Sequence, residues 1–196
     1  MSLTKKTFIV VTLLFFIGVW IERGSSSSDP MAKADQYLQK ISDEKKISNE
    51  ASAPFAQALS QAFAGEISSS EFIGLYPKLL NEAQAGGDGV KELCLNPPSL
   101  DLNADSPEMD VAKAMMQLAK DFCAAEDLKW LYVLKATEAA STLDQATFNK
   151  SMTLYNNFSG FLYESIDKFL KSKSVIELIP DSEYQMFVQL RDSFKV

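Results

Sequence analysis

The chain has 196 residues, with 19 lysines and arginines against 26 aspartates and glutamates, two cysteines and no histidine. The missing histidine excludes Ser-His-Asp and Cys-His nucleophiles, haem on a proximal histidine and the common zinc sites. The formal net charge of −7 argues against DNA, RNA and anionic lipid as partners of the folded part, because these need a basic face.

Lys5 and Lys6 precede an apolar run from Phe8 to Ile21, which includes Leu13, Leu14, Phe15, Phe16 and Trp20. Glu22, Arg23 and the serines Ser25 to Ser28 close it. A charged start and a short apolar stretch are the first two parts of a secretory signal. The third part, small residues at a cleavage site, is absent around Trp20 to Arg23, so a cut could fall only within Gly24 to Ser28. The run is shorter than the roughly 20 residues of an ordinary spanning helix. Snorkelling lysines and local bilayer thinning would let it span. The expectation is a retained signal-anchor in the inner membrane, N-terminus in the cytoplasm and the rest in the periplasm. The alternative is a cleaved signal and a secreted body. No cysteine directly follows the run, which excludes a lipoprotein. Residues 1–28 are thus read as cytoplasmic stub, anchor and serine linker, and 29–196 as an exported helical domain.

Asp29 and Pro30 read as a cap and a first helical position. A polar helix is expected from Met31 to Lys46, with a thin stripe of Ala34, Leu38 and Ile41 beside Tyr37. Ser48 reads as the cap of a second helix carrying Phe55, Leu59 and Phe63, with Pro54 in its first turn and its end near Gly65. "SSSEF" starts a third, with Phe72, Leu75, Tyr76, Leu79 and Leu80. Pro77 should kink or delay it, and "AQAGGDG" should stop it. That glycine run lacks both GxGxxG and GK[ST], so no phosphate loop is expected.

The stretch from Val90 to Asp110 reads as irregular, packed on the body through Leu93, Leu95, Leu100 and Leu102. Ser106-Pro107-Glu108 then starts a helix with a stripe of Val111, Met115, Leu118, Phe122 and Ala125. A break near Ala125 precedes Leu128, Leu131, Tyr132 and Leu134. Thr142 is expected to cap the longest helix, running to Lys171. Met152, Tyr155, Leu162, Ile166 and Phe169 form one seam there, and Leu154, Phe158 and Phe161 a second face. Pro180 breaks the chain before a last amphipathic helix with Tyr184, Phe187, Leu190 and Phe194. The fold class is all-α, a single bundle of five to seven helices.

Cys94 and Cys123 form an even pair, and export would join them in one disulfide. Asp101, Asn103 and Asp105 match positions 1, 3 and 5 of a calcium loop. Ser106 and Ala112 break the pattern at positions 6 and 12, so the stretch reads as a polar turn with only a weak cation candidate. Asn149 and Asn157 lie in formal sequons inside a helix and read as chance matches. Glu126-Asp127 is a carboxylate pair of the kind that usually faces solvent, and Ser/Lys nucleophiles leave no spacing to read. No catalytic residue and no cofactor is assigned. The last helix, through Tyr184, Phe187, Leu190 and Phe194, is the candidate partner face. The functional expectation is a membrane-anchored periplasmic interaction protein, an accessory or structural part of an envelope assembly. Its partner would be an envelope protein, integral membrane proteins included, and not nucleic acid. The alternative is an exported carrier with an apolar pocket between helices.

Overall fold

A computed structural model of the chain describes residues 29–100, 105–142 and 144–195. The described residues form six helices and no strand. These are α1 (Pro30–Ala64), α2 (Ser69–Leu95), α3 (Pro107–Thr142), α4 (Gln145–Leu170), α5 (Lys173–Leu178) and α6 (Asp181–Ser193). None is long and apolar enough to cross a membrane. The expected anchor, Phe8, Leu13, Leu14, Phe15, Phe16 and Trp20 included, lies outside the described residues.

Helix starts follow their local chemistry. Asp29 caps α1 by accepting from the Met31 amide at 2.9 Å. Ser68 and Glu71 form a reciprocal capping box at α2. The α4 cap is Asp144, which accepts from the Ala146 amide at 2.9 Å, and not Thr142. The Thr142 hydroxyl donates back to the Glu138 carbonyl instead, at 3.0 Å, ending α3.

Three expected breaks are absent. Residues 31–64 form one helix, and Ser48 is an interior residue of it. Pro54 sits within α1 and Pro77 within α2, both exposed. On the water side, the carbonyls that each proline leaves without a donor can be hydrated, so the helix continues. Nor does α3 break near Ala125. Its buried stripe continues through Val133 and Ala136, while Leu131 and Leu134 face solvent.

The glycine run was the third expected break, and it is helical. α2 passes through Gly86, Gly87 and Gly89 to Leu95 because α1 lies so close there. A Cβ on Gly86 would overlap Cβ of Ala51, and one on Gly89 would overlap the Glu44 carboxylate. A Cβ on Gly87 would fall 3.1 Å from the Trp130 ring. Glycine lowers helix propensity by about 1 kcal/mol, and the close α1–α2 approach is what it permits. As a result Cys94 is in the last turn of α2, not in a loop. Leu93 and Leu100 pack on the body as expected, Leu95 is exposed, and Leu102 is outside the described residues.

The apolar interior forms two clusters. The larger joins Ala34 to Ile41 of α1, Met109 to Ala125 of α3, Phe158 to Leu170 of α4, Val175, Ile179 and α6. The smaller joins Phe55 to Ala62 of α1, Phe72 of α2, and Val133 and Ala136 of α3. We call the first the body and the second the tip.

The glycine argument predicts opposite effects at two helical glycines. Gly86→Ala should lower stability by about 1–3 kcal/mol through overpacking, despite its gain in propensity. Gly74→Ala meets nothing within 4 Å and should raise it by up to about 1 kcal/mol. Urea unfolding of the two variants checks the sign of each.

Candidate functional site

Between the two clusters lies a layer of buried polar groups. Lys45 and Ser48 enter it from α1, and Glu126 and Lys129 from α3. The Lys45, Glu126 and Lys129 side chains are only 7 %, 3 % and 11 % exposed. The Lys45 Nζ donates to Glu126 Oε2 at 3.1 Å, and Lys129 Nζ lies 2.8 Å from Oε1. Ser48 donates its hydroxyl proton to Oε1 at 3.1 Å and accepts from Lys129 Nζ at 2.8 Å. Lys129 also reaches Asn49 Oδ1 at 3.4 Å. Each carboxylate oxygen therefore meets an ammonium group, and the layer holds two cations and one anion.

The electrostatics follow from burial and pairing. Burial pushes the Glu126 carboxyl up, but the Lys45 and Lys129 ammonium groups outweigh it and hold the group at about 2. Burial pulls Lys129 down, against Glu126, which raises it. The Lys45 ammonium lies over the Phe122 ring, with Nζ 5.9 Å from its centroid. The Trp130 ring meets Lys129 of the layer and a further cation, Lys91, at 5.4 and 5.7 Å from its centroid. Its indole N–H is buried and has no hydrogen-bond partner among the described residues.

Ser48 and Lys129 have the separation of a Ser/Lys nucleophile pair. The Ser48 hydroxyl has no exposed surface, however, and its proton is given to Glu126. A substrate carbonyl cannot reach it in this conformation, so the geometry describes a structural network. Glu126 corrects the expectation of a solvated pair: it is buried, whereas Asp127 is exposed.

The sequence did hold a signal for this layer. Ala34, Leu38, Ile41, Lys45, Ser48, Phe55, Leu59 and Ala62 follow one 3.6-residue stripe. Val111, Met115, Leu118, Phe122, Ala125, Lys129, Val133 and Ala136 follow another. A lysine on each stripe marks where the two apolar faces carry charge toward one another.

The Cys94–Cys123 disulfide is formed, with the α-carbons 5.7 Å apart. It ties the end of α2 to α3 on the body side, next to Tyr37, whose hydroxyl donates to the Leu93 carbonyl at 2.8 Å. Asp101 and Asn103 lie outside the described residues, and Asp105 is exposed. Among the described residues no three Cys, Asp or Glu come together as a metal site.

The candidate partner face lies against the interior of the folded chain. Phe187, Leu190 and Phe194 are buried in the body, and Tyr184 packs against it. Phe187 meets the Phe169 ring at 4.7 Å and Phe194 meets Phe158 at 6.3 Å. Tyr184 donates to the Leu170 carbonyl, and Arg191 pairs with Asp167 at 3.1 Å. The amphipathic face of α6 is covered by its own chain. Of the two α4 faces, Leu162, Ile166, Phe169 and Phe158 are buried, and the Met152 and Tyr155 side chains lie outside what is described.

Glu126 is charged in the fold down to about pH 2, whereas its ordinary value is 4.5. Between these values the unfolded chain binds a proton that the fold does not, so stability falls as pH drops through that window. Glu126→Gln should show a shallower fall there. At neutral pH it should lose about 3–5 kcal/mol, because two buried lysines lose their partner. The joint Lys45→Met, Glu126→Leu, Lys129→Met variant should be as stable as the parent or up to about 4 kcal/mol more so. Urea unfolding from pH 2 to 7 checks all three.

The chain matches no family model, no curated protein and no solved structure.

Proposed function

We propose that this protein is an extracytoplasmic helical interaction protein, held at the membrane by residues 8–21 and acting as an accessory part of an envelope assembly. The observation that carries the reading is the Cys94–Cys123 disulfide. Reducing cytosol keeps such thiols apart, whereas exported domains keep them joined. The charged start and apolar run at the front supply the route of export. A further support is the interior. The chemistry-bearing side chains brought together, Lys45, Ser48, Glu126 and Lys129, are spent on each other and not on an open cleft.

The face we assign to the partner is on α3. Leu131 and Leu134 stand one turn apart and are 44 % and 52 % exposed. α6 is committed to the body and cannot serve without leaving it. An apolar pair on one exposed helix face offers a contact for a partner.

Native protein recovered from carbonate-washed membranes should have the mass of a chain starting at Met1 or Ser2. It should also migrate faster on a non-reducing gel than after reduction. A soluble protein starting between Ser25 and Asp29 would overturn the tether. Leu131→Glu with Leu134→Glu should leave the helical signal and melting temperature within about 3 °C of the parent. The same change should abolish its crosslinks in membranes.

A further inference from the structure

The body and the tip are built unequally. Twenty-three buried apolar residues close the body and seven close the tip, among those described. The layer between them is the Lys45–Ser48–Glu126–Lys129 network, flanked by Gly86 and Gly87 of α2. Apolar packing transmits stability across an interface because each side excludes water from the other. A charged layer does this less well, because its members gain hydration when the interface opens. Three ties brace the body side: the disulfide, the Tyr37–Leu93 bond and the Arg191–Asp167 pair. On the tip side, two of the three long helices contain a proline, Pro54 in α1 and Pro77 in α2. Each removes one helical hydrogen bond.

We infer that the tip, made of residues 52–64 of α1, 69–83 of α2 and 130–142 of α3, opens as one unit at the charged layer while the disulfide-tied body stays folded. The glycines at the layer offer little side-chain contact to resist the motion. Opening brings the Trp130 ring and the Lys129 ammonium to water together, since they stack on each other in the closed form. The network acts as a latch. Its ion pairs hold the tip in register when closed, and their hydration lowers the cost of release. The Phe55–Phe72 ring contact at 6.4 Å is the apolar part of the same closure.

Hydrogen exchange read by mass spectrometry on the full chain, at several urea concentrations below global unfolding, tests this. Peptides from the three tip segments should exchange about tenfold or more faster than those from Met109–Phe122 and Phe158–Leu170, with one shared urea dependence. In the joint Lys45→Met, Glu126→Leu, Lys129→Met variant the gap should narrow to about threefold or less, because an apolar layer couples tip to body. A parallel readout uses the chain with Trp20→Phe, so that Trp130 is the remaining tryptophan. Its fluorescence should change at lower urea than the helical signal. Two results in the parent chain alone would overturn the inference. One is tip peptides exchanging at the body's rates. The other is rates graded from the helix ends without urea dependence, which is fraying and not a joint opening.

Discussion

A carboxylate buried between two ammonium groups fixes how this molecule is assembled. Glu126 cannot be ionised in the interior alone, because desolvating one charge costs several kcal/mol. Lys45 must reach it from α1 and Lys129 from the next turn of α3. That requirement sets the register of α1 against α3. Ser48 completes it by bonding to both Glu126 and Lys129. α2 then approaches the same level through Gly86 and Gly87, against Ala51 and Trp130. The layer holds the three long helices in one alignment and keeps the two apolar clusters apart.

The same layer explains why some of the fold was legible in the sequence and some was not. Boundaries set by local chemistry were readable. Asp29-Pro30, the start at Ser106-Pro107 and the break at Pro180 all behave as their residue types dictate. Boundaries overruled by packing were not. Ser48 has the chemistry of a cap, but its hydroxyl serves Glu126, which lies 78 residues along the chain. Gly86 and Gly87 have the chemistry of a stop, but their missing side chains admit a neighbouring helix. Proline was misread for a different reason: whether it ends a helix depends on which side of the helix it lies, and Pro54 and Pro77 lie outside.

The site shows the same division. The Cys94–Cys123 pair was legible from the even cysteine count, and the chain brings the two together. Glu126 was not, because a carboxylate next to an aspartate carries no local mark of burial. Its signal was distributed over two helices, in lysines standing on otherwise apolar stripes. Tyr184, Phe187 and Leu190 share one face of α6, and Phe194 caps it. Amphipathicity alone could not say whether that face meets the chain's own body or a partner. The rings of Phe158 and Phe169 answer it for the folded chain. Leu131 and Leu134 of α3, by contrast, remain outside.

Carbon-13 NMR of the Glu126 carboxyl, followed from pH 7 to pH 2, tests the central claim most directly. It reads the charge of the one group on which the layer depends. A resonance that holds its ionised position down to about pH 3 and is half-shifted near 2 is the result predicted here. A midpoint near 4.5, the ordinary value for a glutamate, would mean that water and not the two lysines surrounds the carboxylate. The helices would then need another source for their register.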